Sequence, residues 1–372
     1  MSPTDSPAAD NPAADEPASL PAPSALLTAI PALLGFLPER SLILVDLGSG
    51  GRVGTIMRHD LDLYADGSPS GEMAAVIGTL GGILASGIHS GGSRSGGGQR
   101  SVVVAVICDD RFDATDIRYR PTLAMVDDRC ADFGGLAHGF ILPRFVAGTR
   151  WHRTWSHGVG GVGEHAGVLG DPRSCPTALA RAVADGRRIL HSRSEMRAML
   201  TPTRHCDTGA CDVGLAAWES LTDSSADQLA AIYDAVVGTP ERFSCATVRE
   251  LERAICNLRV RDAALALAVT DLRHPAEHLW RELTRRLTGT GRASAATLLA
   301  HLHYIGGEGS YAGIALDCAL DADPDWHLAV LLDTALRNGV RPALLWEIIG
   351  DSYATAAALG IHLPRATLRE AG

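Results

Sequence analysis

The stretch Pro31–Leu47, PALLGFLPERSLILVDL, constrains the fold most. An apolar run with helical character closes at Gly35-Phe36. A Pro-Glu-Arg-Ser corner (Pro38, Glu39, Arg40, Ser41) follows, and Leu42–Leu47 then reads as a buried strand. A strand with one face in water alternates polar and apolar side chains. A run that is apolar at nearly every position belongs in a sheet covered on both faces. Val102–Cys108 has the same character and is predicted to be central in its sheet.

Elements follow from the punctuation around these runs. Ser24 is positioned to cap a helix reaching Phe36, with Pro31 kinking or breaking it. The glycines Gly48, Gly50 and Gly51 turn the Leu42–Leu47 strand into a second one, Val53–His59. A helix is expected over Glu72–Ile88, then a Gly/Ser loop over Gly87–Arg100. That loop leaves a helix and enters a strand, the reverse of the order a phosphate-cradling fingerprint needs. A helix over Tyr119–Phe133 and a hairpin of Ala137–Val146 with Arg150–Trp155 complete the pattern. The fold class is therefore an α/β N-terminal domain with a mixed sheet, spanning 24–205. A Gly-rich loop around Gly158–Gly163 leads to a helix from Pro176 to about Gly186, and Ser192 with Glu195 reads as a capping box.

An all-α C-terminal domain is expected over 212–365. Its candidate helices are Ala226–Val237, Ala246–Ala268, Ala276–Leu287, Ala295–Tyr304 (capped by Ser294), Ser310–Leu320, His327–Asn338 and Pro342–Leu359. Ala312, Ala319 and Pro324 fall at offsets like the second half of a tetratricopeptide repeat. A helical hairpin whose small residues allow close packing explains that spacing, and a peptide-binding groove is the other reading. Residues 1–23 are Pro, Ala, Ser and acidic residues with little to bury. Ordering costs about 1–2 kcal/mol per residue, so this tail is expected to be disordered.

All 33 basic residues are Arg, and there is no Lys. A P-loop, a protein-kinase site and Schiff-base chemistry each need a Lys, so all three are excluded. The net charge of −10 repels phosphate backbones, so no nucleic-acid partner is expected. Arg187-Arg188 and Arg285-Arg286 read as solvated helix faces. The longest apolar run, Ala74–Ile88, holds four glycines and is too short to span a bilayer, so no membrane partner is expected. No secretory signal is visible. The eight cysteines lack framework spacing and are expected to be reduced thiols in the cytoplasm.

Four segments resemble a known family, the actinobacterial proteins grouped as domain of unknown function 4192. They are LLGFLPERSLILV (Leu33–Val45), GTRWH (Gly148–His152), DPRSCPTALARAVADGRRILHSRSEMRAML (Asp171–Leu200) and GGEGSYAGIALDCALDADP (Gly306–Pro324). The resemblance implies a fold and a taxonomic setting, not a reaction. It also implies Cys or acidic residues beside the Arg-Trp hairpin. Here that stretch is rich in His and Gly, which argues against a preserved metal site.

Asp46, Asp109 and Asp110 end predicted strands, where open α/β sheets bind ligands and carboxylates can act as bases or metal ligands. Strand-end Asp residues also cap turns, and that reading is preferred. Arg150 and Trp151 could grip an anionic ligand or simply stack on the sheet, and stacking is preferred. His152, His157 and His165 crowd one segment, and His205-Cys206 with Cys211 another. Neither matches an established zinc spacing, so no metal or other cofactor is predicted. The expectation is a non-catalytic cytoplasmic ligand- or protein-binding regulatory protein that contacts another protein through its helices. The alternative is an enzyme acting on a small anionic substrate at the strand ends.

Overall fold

The computed structural model describes residues 22–48, 51–90, 102–111, 117–156, 164–207, 224–240 and 242–368. Residues 1–21 of the acidic tail, residues 91–100 of the Gly/Ser loop, Gly158–Gly163 and Cys211 lie outside them, as does His157.

The chain opens with α1 (Pro23–Leu34), β1 (Ser41–Leu47), β2 (Val53–Asp60), α2 (Gly71–Ser90), β3 (Val102–Cys108) and α3 (Arg120–Arg129). Next come β4 (Leu136–Leu142), β5 (Arg150–Ser156), β6 (Ala166–Val168), α4 (Pro176–Asp185) and α5 (Arg193–Ala198). The strands form one six-stranded sheet in the order β2-β1-β3-β4-β5-β6. The β3–β4 pair is parallel and the other pairs are antiparallel, so the sheet is mixed. β1 and β3 sit inside it, and every residue of β1 is buried. Side chains alternate between the two faces. Leu42, Leu44, Val103, Ala105 and Ile107 share a buried cluster with Met73 and Ile77 of α2 and Leu123 and Val126 of α3. Ile43, Val45, Val104 and Val106 face the other way, into a cluster with Leu27 and Ile30 of α1. Each such Val, Leu, Ile or Met side chain contributes about 1.5–3 kcal/mol when fully buried.

The rest of the described chain is helical: α6 (Ser225–Gly238), α7 (Cys245–Cys256), α8 (Leu258–Ala264), a 3-10 turn (Leu265–Val269), α9 (Arg273–Arg286), α10 (Gly289–Ile305), α11 (Gly309–Ala322), α12 (His327–Arg337) and α13 (Trp346–Ala358). These helices wrap around α10, which touches α7, α8, α9, α11 and α12 and is buried along most of its length. Ala312 and Ala319 are fully buried on α11, which packs against α10. One buried cluster continues from Leu26 in α1 through the sheet face to Ala356 in α13. No helix among the described residues is long and apolar enough to cross a membrane.

Several local expectations are corrected. Ser24 lies inside α1, behind Pro23, and its hydroxyl accepts the Trp151 Nε1–H instead of capping the helix. The helix runs through Pro31 and ends at Gly35, whose φ of 86° is left-handed. The single helix expected over Ala246–Ala268 is broken at Asn257, which ends α7 and caps α8. Ser294 is no cap either: it is fully buried within α10 and donates to the Ile255 carbonyl at 2.6 Å. Ser192 does accept the Glu195 N–H at 3.1 Å, but the Glu195 carboxylate reaches the His191 N–H, one residue further back than a capping box requires.

Candidate functional site

A cleft of about 420 Å³ opens where the segment after α4 meets α9 and α11. Gly186 closes α4 with a φ of 64°, a left-handed turn that favours glycine, and so points Arg187 inward. Arg187 was expected on a solvated helix face. Instead its side chain is only 11% exposed. Its guanidinium meets Glu308 through Nε and, at 2.9 Å, through Nη2. It also donates from Nη2 to Glu277 at 2.9 Å and lies 4.5 Å from the centre of the Tyr311 ring.

Glu308, just before α11, is the hub. Its Oε2 also accepts from Arg273 at 2.9 Å and meets His303 Nδ1 at 2.8 Å. Arg273 and Glu277 lie one turn apart on α9, and His303 lies near the end of α10. A Cβ at Gly306 would collide with the Arg273 guanidinium, so this glycine makes room for the network. Burial alone would raise the Glu308 pKa. The His303 hydrogen bond and the charges of His303, Arg187 and Arg273 outweigh it and hold the carboxyl well below the usual carboxylate range. Burial likewise works against the Arg187 cation, but Glu308 and Glu277 overcome it and raise the Arg187 pKa. The floor is thus a set of fixed, mutually neutralised charges. Above it stand Arg188, whose side chain is 80% exposed, and His274, His278 and Arg281 on one face of α9.

Asp46, Asp109, Asp110, Arg150, Trp151, His152 and His165, all among the described residues, lie elsewhere and do not share one pocket. Asp46 faces Val103 across β1–β3, whereas Asp109 follows Cys108, the partner of Ser41. They therefore sit at opposite ends of that ladder, about six residues or roughly 20 Å apart. Asp109 is buried and accepts from the Tyr119 hydroxyl at 2.9 Å and the Arg111 N–H at 3.2 Å, which is turn-capping work. Asp110 and Arg150 are exposed. Trp151 has no exposed surface. It meets Phe140 edge-on at 5.4 Å, and a Cβ at Gly167 would collide with its ring. It is core. His152 is half-buried on β5, and His165 lies exposed, 3.3 Å from the Arg153 guanidinium.

A different cluster does assemble. His205 and Cys206 are joined by Cys245, 40 residues on, with Cys245 Sγ 3.6 Å from His205 Nδ1. Burial, then Arg249 and Arg286, lowers the His205 pKa.

A six-stranded mixed sheet between helices, continuous with a bundle around one central helix and holding a buried Arg–Glu network at the junction, defines an α/β protein with a helical extension. The chain belongs to the family described as Domain of unknown function (DUF4192), whose model matches residues 23–343. No curated protein and no solved structure matches the chain. Three of the four segments that carry the resemblance meet at the cleft. Gly35 from the first approaches Tyr311, a Cβ there falling 2.8 Å from its ring. Arg187 comes from the third, and Glu308 and Tyr311 from the fourth.

Proposed function

We propose that this chain is a non-catalytic ligand-binding protein of regulatory role, and that the Arg187 cleft takes a small molecule carrying at least one anionic group. The observation behind this reading is the arrangement of charge. The buried Arg187, Glu277, Glu308 and Arg273 satisfy one another, while Arg188 and Arg281 flank the opening with side chains 80% and 30% exposed, Arg188 pairing with Glu195 at 3.2 Å and Arg281 lying 3.9 Å from Glu277. Their guanidinium forks suit a carboxylate or phosphate. The cleft's volume of about 420 Å³ suits a small molecule. Binding is favoured over turnover because Glu308 and Arg187 are both driven towards their charged forms and are poor proton-exchange groups near neutral pH. The alternative, an enzyme working at the strand ends, has weaker support, since Asp46 and Asp109 lie at opposite ends of the sheet. A cytoplasmic, actinobacterial setting belongs to the same proposal, and no disulfide joins any two of the seven cysteines among the described residues, in keeping with it. So does contact with a protein partner through the helices.

The test is native mass spectrometry of full-length protein purified gently from an actinobacterial host, followed by titration with the molecule that co-purifies. Arg188→Ala/Arg281→Ala is expected to bind at least about tenfold more weakly while unfolding at the same denaturant concentration, because charged hydrogen bonds contribute roughly 1.5–3 kcal/mol each. Unchanged affinity in that variant would remove the cleft from consideration.

A further inference from the structure

We propose that His205, Cys206 and Cys245 form a zinc site. The Nδ1 or Nε2 of His205 and the two Sγ atoms lie within 4.8 Å of one another. In a tetrahedral zinc site with Zn–N near 2.0–2.1 Å and Zn–S near 2.3 Å, a nitrogen and a sulfur ligand stand about 3.5 Å apart. The Cys245 Sγ to His205 Nδ1 separation is 3.6 Å. That pair is thus at ligand spacing, and the remaining donor separations are no more than 4.8 Å.

The scaffold around them is built to hold this spacing. The Thr203 N–H donates to the Arg285 carbonyl at 2.7 Å, which pins the incoming chain to the end of α9. Asp207 then makes a reciprocal pair with Phe243: its N–H donates to the Phe243 carbonyl at 3.0 Å, and its carboxylate accepts the Phe243 N–H at 2.7 Å. Asp207 also pairs with Arg286 at 2.9 Å. Arg286 in turn lies 4.7 Å from the centre of the Phe243 ring. His205 and Cys206 are therefore held between two anchors, directly against the start of α7. Cys245 is the first residue of that helix, following its Ser244 cap.

The donor set selects the metal. Two thiolates and one imidazole are soft or borderline ligands that suit zinc and not calcium or magnesium, which need oxygen donors. Two thiolates with a neutral imidazole also cancel the charge of Zn²⁺. A neutral centre tolerates Arg249 and Arg286, the cations near His205. Three protein donors leave a fourth position for solvent or another ligand. Cys206 is 3% exposed and Cys245 is half-buried, so the centre lies just under the surface. Binding releases the thiol protons and fastens the 203–207 segment to α7.

The experiment is metal analysis of the full-length chain purified under reducing conditions and equilibrated with zinc, with cobalt substitution as a geometric readout. One tightly held zinc per chain is expected, and the cobalt form should show thiolate charge-transfer absorption with tetrahedral ligand-field bands. Cys206→Ser and Cys245→Ser are each expected to weaken zinc binding by more than about a hundredfold, beyond the loss typical of an outer-sphere change. Cys256→Ser, at the far end of α7, is expected to bind like wild type and controls for folding. A folded wild-type chain without zinc or the cobalt spectrum overturns the proposal. Zinc retained by the Cys206→Ser/Cys245→Ser double variant overturns it too, as does an intact mass showing a Cys206–Cys245 disulfide in place of metal.

Discussion

Glu308 carries three partners on one carboxylate, with a side chain only 3% exposed. Removing one side of a buried ion pair leaves an uncompensated charge and typically costs about 3–5 kcal/mol. Glu308→Gln is expected to lower stability by that order, read as a shift in the urea midpoint. The carboxyl's folded pKa lies below its ordinary value of 4.5, so it contributes stability above 4.5 that is lost as pH falls toward the depressed folded value. The variant should therefore show a flatter stability profile below pH 4.5 than wild type. His301 adds a second acid-sensitive element. It is fully buried in α10, neither ring nitrogen hydrogen-bonds to the described residues, and burial lowers its pKa from 6.5 to about 4. The unfolded chain takes up that proton first, so stability is lost as pH falls from 6.5 toward 4. His301→Leu is expected to flatten the profile in that window, a result the same pH series of urea titrations checks. Neither residue stood out in the sequence. An Arg in a Gly-capped turn reads the same whether it faces water or a Glu 121 residues away, so the Arg187–Glu308 pair left no local signal.

At the scale of elements, Asn257 is a joint. Its side-chain oxygen caps α8 by accepting the Arg259 N–H at 3.2 Å, and its amide donates to Ser225 at 3.0 Å and Gln228 at 2.7 Å on α6. Asn257→Ala removes a cap and two side-chain hydrogen bonds and is expected to cost about 1–3 kcal/mol, measured by chemical denaturation. The break it makes was illegible because the apolar period continues on both sides, and nothing marks the bend but one Asn. The β1 and β3 strands were legible for the opposite reason: a sheet strand covered on both faces cannot hide its composition. β6, three residues long, offered no periodicity at all.

Across the whole molecule, the sheet layer and the helices share buried contacts. Besides the Arg187 network, Arg193 and Arg197 of α5 both pair with Asp317 of α11, at 3.2 and 2.8 Å. The apolar cluster is likewise continuous from α1 to α13. A chain coupled in this way is expected to unfold in a single calorimetric transition. Two resolved transitions would show that the α/β part (24–205) and the helical part (212–365) are separate cooperative units.

The Arg187 network also has a consequence for synthesis. Arg187 must wait for Glu277, 90 residues later, and for Glu308, 121 residues later. At about 5–20 residues per second, translation needs roughly 5–25 s to deliver both. During that interval the emerging chain carries a solvated cation where the finished protein has a sealed ion pair. The apolar face of the sheet is also only partly covered, by α1 and α5, until the later helices arrive. Nascent chains stalled before residue 277 should therefore bind chaperones that those released after residue 308 escape.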